Sequence, residues 1–154
     1  VVSGAFVIRG QLSIRDFIFF IVAQVVGGIV GVWAAHGMFD LAMIQTSTTF
    51  RTGQAQWFAE AIATFGLLIT IFGCIATAPK SVPYAVGLYI TAAYWFTAST
   101  SFANPAVTIA RSLTDTFAGI APNNAPAFIL AQLIGASVAI FASTILWPES
   151  ETQS

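Results

Sequence analysis

The residues best equipped for chemistry share one short stretch, SFANPAVTIAR at 101–111, in which an Asn-Pro step is followed by Arg111. An Asn carboxamide both donates and accepts hydrogen bonds, and a guanidinium carries five donors and a permanent charge. Both are costly to bury in an apolar chain. The other candidates are few. Glu60 lies well inside an apolar run, where an ionisable residue is a functional candidate by default and a proton relay is its sharpest role. His36 stands alone at the end of another run, with no second His, Cys or acid at ligand spacing. An interfacial position is therefore expected of it, and no metal site. Cys74, the sole cysteine, is read as core, which rules out an intrachain disulfide. One His and one Cys do not assemble a nucleophile, a base and an orienting group, so neither an enzyme nor a cofactor is expected.

These residues sit in an apolar setting. The 154 residues are 57% hydrophobic and 7% charged, with a mean hydropathy of +0.85. That leaves too little polar surface to cover a soluble globule, so an integral membrane protein is expected. A net charge of -1, with no run of Lys or Arg, excludes the electrostatic footprint of a nucleic-acid binder. The chain opens on Val and lacks a charged n-region ahead of a short apolar stretch and a cleavage site. It reads as part of a longer chain, not as one that starts with a signal peptide.

A span needs about 20 mostly apolar residues, and four stretches qualify or nearly so: 14–36, 56–76, 82–99 and 126–147. Ser13 is an N-cap with Asp16 in the first turn, while Pro83 and Pro126 fall where a helix tolerates proline best. Pro148 and the polar tail ESETQS close the last span. The connection GMFDLAMIQTSTTFRTGQAQ, rich in Thr, Ser and Gly, reads as a solvent-facing loop. Arg9, Arg15 and Lys80 then fall on one side and Arg51 on the other, which places both chain ends in the cytoplasm. Residues 104–117 have a helical pattern but reach only about 20 Å, too short to cross a bilayer. Asn104 serves as its N-cap, Pro105 as its first helical residue and Gly119 as its stop.

Asn-Pro also begins many ordinary surface helices, and an internal repeat decides between the readings. AQVVGGIVGVWAAHGM from Ala23 and AQLIGASVAIFASTIL from Ala131 share an Ala-Gln-apolar-apolar-Gly core. Upstream, VSGAFVIR falls near VTIARSLT, with Val2 22 residues before Gln24 and Val107 25 before Gln132. Repeats with short, Pro-interrupted segments at matching positions point to a transport site at the repeat interface.

At these residues the chain resembles the aquaporin family, also called major intrinsic proteins. NPAVTIAR at 104–111, FAEAIATFGLLITIFG at 58–73 with a Glu near its start, AVGLYITAAYWFTASTSFANPA leading into the motif and the duplicated Ala-Gln helices carry the likeness. It covers essentially the whole chain. The resemblance implies an all-α membrane protein, a helix bundle of two inverted repeats of three spans. Each repeat has a re-entrant half-helix, and the two meet N-terminus to N-terminus in mid-pore. By that likeness, residues 1–154 are an N-terminally truncated, partial domain with four of six spans; 1–9 is the rest of the first half-helix, and 104–117 is the second. The pore motif is Asn104, Pro105 and Ala106. The resemblance also implies a multi-pass protein of a cell membrane, a bacterial inner membrane in this reading, assembled as a homotetramer in the lipid bilayer.

Physics makes sense of such a site. Irregular backbone survives at membrane depth only when buried or lining a water-filled cavity. Two facing helix N-termini put positive dipole ends at the centre, which repels cations and protons but not neutral molecules. The capped Asn104 amide then donates to passing oxygens. Water-selective members have an Arg directly after the Asn-Pro-Ala, where this chain, like some bacterial members, has Val107. A wider, less polar ring is expected there, favouring small neutral solutes such as glycerol, urea or metalloid hydroxides like arsenious acid. Arg111, one turn on and on the same helix face, is either a displaced filter residue or a group reaching carbonyls or lipid headgroups. Ala92, Ala93 or Tyr94 supplies a further filter position. By resemblance, Glu60 braces the re-entrant loop, and Gln24 and Gln132 are interhelical hydrogen-bonders. Gly27, Gly28, Gly31 and Gly135 fit close helix contacts. The leading function is a passive channel for small neutral solutes. The alternatives are a non-conducting fragment and a coupled secondary transporter, for which Glu60 is the sole midplane acid.

Overall fold

The computed structural model describes residues 1–148, and the polar tail expected to close the last span lies outside them. Six α-helices follow in order: α1 (Val2–Ile8), α2 (Ile14–Met38), α3 (Gln54–Thr77), α4 (Val82–Phe96), α5 (Pro105–Arg111) and α6 (Ala125–Leu146). Short 3-10 turns at Pro79–Ser81 and Pro122–Asn124 lead into α4 and α6. No strand occurs among the described residues.

The helix starts have local causes. Ser13 Oγ accepts from the Asp16 amide at 3.1 Å and so caps α2. Proline in the first turn of α4, α5 and α6 removes an N–H that would find no partner there. Among the described residues, three helices are long and apolar enough to cross a membrane: α2, α3, and α6 together with its leading turn. The expected span at 82–99 is shorter than that. Its helix has 15 residues, about 22 Å, because Thr97 turns to an extended conformation and its Oγ1 donates back to the Ala93 carbonyl at 2.7 Å.

The second half-helix is also shorter than the pattern suggests, since α5 ends at Arg111 and not near 117. The loop between α2 and α3 takes over the carbonyls that would have continued it. The Ser47 amide donates to Ser112 O at 2.9 Å, and Thr49 Oγ1 donates to Thr116 O at 3.0 Å. Gly119 is therefore no helix stop. It is required because a Cβ there would lie 2.2 Å from Thr114 O and 2.3 Å from Ser47 Oγ.

α3 and α6 form the most extensive helix pair. Leu68, Phe72, Ala136 and Ala139 make its core with Ala5 of α1, and Ala63, Leu67 and Ile71 pack on Ala103 ahead of α5. The backbones touch at Gly135, where an added Cβ would stand 2.2 Å from Ala61 O. Neither partner is a flexible side chain, so Gly135→Ala must push the two helices apart. A loss of about 1–3 kcal/mol is expected, read as a lower thermal midpoint in detergent; a variant as stable as wild type would refute this account of the α3–α6 contact. α2 meets the bundle through α5 and α1, and Gly28 makes the α5 contact close, since its Cβ would sit 3.1 Å from that of Ala110. Its remaining surface carries Ile18, Phe19, Val22, Val26 and Val30, all exposed.

Candidate functional site

The site begins with the backbone that delivers α5. Thr100, Ser101 and Ala103 all have positive φ, at 62°, 48° and 50°, a conformation that costs a non-glycine residue about 1–2 kcal/mol. Such a run persists only where its surroundings enforce it. Glu60 does so. Fully buried on α3, its carboxylate accepts from the Phe102 amide at 3.2 Å and from the Ala103 amide, two consecutive N–H groups forming a small anion nest. Its Oε1 also accepts from Gln132 Nε2 at 2.9 Å, and the same nitrogen donates to Thr108 Oγ1 at 2.8 Å. Thr108 Oγ1 in turn donates to Asn104 O at 3.0 Å. α3, α6 and α5 are thus tied at one buried polar cluster.

The repeat has its own signature here. Gln24 Nε2 donates to Ser3 Oγ at 3.1 Å, and Ser3 follows Val2 as Thr108 follows Val107. Each Ala-Gln helix therefore holds its preceding short helix by the same bond. That pairing of Ser3 with Thr108 was available from the aligned repeats and is the signal by which Thr108 is found.

Asn104 caps α5, its Oδ1 accepting from the Ala106 amide at 2.9 Å. Cap geometry assigns the oxygen, which leaves the NH₂ group without a bond among the described residues. Asn104, Pro105 and Ala106 line a cavity of about 240 Å³ together with Val1, Ser3 and Gly4, so the beginnings of both short helices open on one space.

At its other end α5 borders a cavity of about 680 Å³, lined by Val107, Ala110 and Arg111 and by Gly28, Gly31 and His36 of α2. Val107 also packs against the buried Phe102, Ile120 and Phe128. The Arg111 guanidinium bonds to no carbonyl among the described residues. Its guanidinium carbon lies 4.3 Å from the Phe102 ring centre and 5.9 Å from that of Tyr94, and its Nη1 is buried without a partner. Of the three upstream filter candidates, the structure brings Tyr94 to α5. Ala93 is fully buried, Ala92 is exposed, and none of the three lines either cavity.

Two expectations are corrected. His36, in the last turn of α2, is not open at the span end: it is 1% exposed, with Nδ1 3.1 Å from Met43 O and Nε2 2.9 Å from Thr114 Oγ1. A carbonyl only accepts, so Nδ1 carries a hydrogen, while Nε2 pairs with the Thr114 hydroxyl. Nor is Arg51 a charge on a solvent-facing loop. It is buried, and its Nε, Nη1 and Nη2 donate to Gly119 O (2.7 Å), Ser99 O (3.3 Å) and Phe117 O (2.7 Å). The 39–53 segment is thereby pinned across both limbs of the re-entrant region. Burial lowers the Arg51 pKa, although a guanidinium keeps its charge. Nearby, the exposed Asp115 carboxylate accepts from the Thr48 amide and hydroxyl, which holds its pKa below the usual carboxylate value.

A chain that turns back at membrane depth on a buried carboxylate, and points a capped short helix at a cavity, is a multi-pass membrane protein of the re-entrant half-helix class. Over 139 residues it is 53% identical to the aquaglyceroporin AqpS of Rhizobium meliloti (strain 1021), a match spanning 90% of this chain and 60% of that relative's length. The chain belongs to the aquaporin family, the major intrinsic proteins. No family model and no solved structure matches it.

Proposed function

We propose that the protein forms a passive pore for water and small uncharged solutes, glycerol, urea and metalloid hydroxides such as arsenious acid among them, and that it excludes ions and protons. The observation that carries this reading is Asn104. Its cap bond fixes the side chain at the tip of α5 and leaves an NH₂ donor toward the Asn104 cavity. Helix dipoles at that tip disfavour a cation and leave a neutral molecule unaffected. The name aquaglyceroporin, borne by a relative of 53% identity, supports solutes larger than water. In this reading Val107 forms an apolar wall, Tyr94 stands opposite the end of α5, and Glu60 braces the loop. The pore works in a lipid bilayer as one subunit of a homotetramer in a bacterial inner membrane.

The test is stopped-flow light scattering on proteoliposomes, comparing water with glycerol and arsenious acid for wild type and Val107→Arg. Wild type is expected to pass the larger solutes, and the Arg variant to lose them by at least about tenfold while keeping water flux. If neither protein exceeds empty liposomes despite folded insertion, the channel reading fails and a non-conducting role replaces it.

A further inference from the structure

One wall of the 680 Å³ cavity holds a run of hydroxyls that ends on a titratable ring. It starts at the Ala118 amide, which donates to Thr116 Oγ1 at 3.3 Å. Thr116 Oγ1 lies 3.2 Å from Thr114 Oγ1, which lies 2.9 Å from His36 Nε2, while His36 Nδ1 donates to Met43 O. All three side chains line the cavity; His36 and Thr114 are buried and Thr116 is half-buried. A hydroxyl has one hydrogen to give, so the ring decides which way the run points. With Nε2 bare, Thr114 donates to it and Thr116 donates to Thr114. With Nε2 protonated, Thr114 accepts from the ring and donates to Thr116, whose own hydrogen then has to find its acceptor in the cavity. Both directions keep the two bonds of the ring, so the reversal needs no movement of the backbone.

The second proton also charges the wall. The ionisable residues on the segments around the ring are Asp40 and Arg51 of 39–53, Arg111 of α5 and Asp115 after it, and α2 has none between Asp16 and His36. Neither acid bonds the ring: Asp40 is exposed, and Asp115 accepts from Thr48. A charged His36 therefore joins Arg111 on the cavity wall without a carboxylate bonded to it.

We propose that His36 is a pH-sensitive switch in the cavity wall: its second proton turns the Thr116 hydroxyl outward and lowers the passage of larger neutral solutes relative to water. The proposal rests on the channel reading above. No solute touches the ring, which is 1% exposed. The freed Thr116 donor and the added charge hold water in the cavity, which a larger solute has to displace and a water molecule simply replaces.

The experiment measures water and glycerol flux in proteoliposomes at about pH 7.5 and about pH 5.5, either side of the ordinary imidazole range, for wild type, His36→Gln and Thr116→Val, with thermal midpoints of each. The glycerol-to-water ratio of wild type is expected to fall about threefold at the lower pH and to stay level in both variants. His36 is the sole histidine of the chain, so the nitrogen NMR shifts of ¹⁵N-labelled imidazole follow its proton directly, and the fall in ratio should track them. If His36→Gln does not fold, Thr116→Val, which leaves the ring and its two partners in place, carries the test. A ring that does not titrate in this range, or that titrates with no change in ratio, overturns the proposal and leaves the channel reading standing. So does a fall in ratio that persists in a folded variant, or a proportional loss of both fluxes with a lower midpoint, which is acid unfolding. A wild type no more permeable than empty liposomes at either pH defeats the channel reading itself.

Discussion

Glu60→Ala is expected to destabilise the protein by about 3–5 kcal/mol and to abolish solute flux. Two buried backbone N–H groups, those of Phe102 and Ala103, lose their acceptor, at about 1–3 kcal/mol each. The loss falls where three non-glycine residues already hold left-handed backbone, so the loop has cheaper conformations to relax into. Gln132 loses one of its two acceptors at the same time. Glu60→Gln tests the charge separately: it keeps one oxygen but turns an NH₂ toward an N–H, and about half the penalty is expected. Denaturation in detergent reads the stability, and stopped-flow reads the flux. A Glu60→Ala protein within about 1 kcal/mol of wild type would show that the loop keeps its shape without the carboxylate.

Arg51→Leu carries the next largest effect. It fills similar space but leaves the carbonyls of Ser99, Phe117 and Gly119 without their donors. Hydrogen bonds to a charged group contribute about 1.5–3 kcal/mol apiece, less where water can replace the donor. A net local loss of about 2–4 kcal/mol is expected. Hydrogen exchange localises it: the Ile120 and Ala121 amides, bonded to Arg111 O and Thr49 O, should lose protection by about thirtyfold or more, while the amides of the α3–α6 core stay unchanged. Arg51→Lys offers a point charge in place of a fork and should fall between the two. Unaltered exchange at Ile120 and Ala121 would mean that the 39–53 segment is held by its other bonds alone, such as those from Thr48 to Asp115.

What the sequence revealed and concealed divides by range. Caps lie within a few residues of what they cap, so Ser13 with Asp16 and Asn104 with Ala106 could be read directly. The repeat is local in another sense, since it compares the chain with itself. His36 and Thr114, by contrast, are 78 residues apart, and Arg51 and Gly119 are 68 apart. No spacing rule connects such pairs. Composition read 39–53 correctly as a largely exposed loop but missed the buried Ser47 and Arg51, because a Thr or Ser hydroxyl bonded to a protein carbonyl looks the same in sequence as one bonded to water. The early end of α4 was hidden for a related reason. Residues 94–99 remain apolar or small, so a hydropathy window runs on while the backbone has already left the helix at Thr97. Arg111 defied a one-dimensional reading because its partners are ring faces contributed by residues 94 and 102, on the other side of the turn.

The Gln132 bridge bears on how such a chain is made. A ribosome delivers Asn104 and Thr108 to the membrane before Gln132, which follows Thr108 by 24 residues. Until α6 emerges, α5 is a seven-residue helix that has α2 beside it and the Glu60 nest at its approach but lacks the Gln132 bridge, and a helix of that length is unstable alone. The last tie on the half-helix is therefore made late in synthesis, by the element that also completes the α3–α6 core. Lesions in α6 should then present as failures of insertion and quality control at α5, far from the altered residue in the chain.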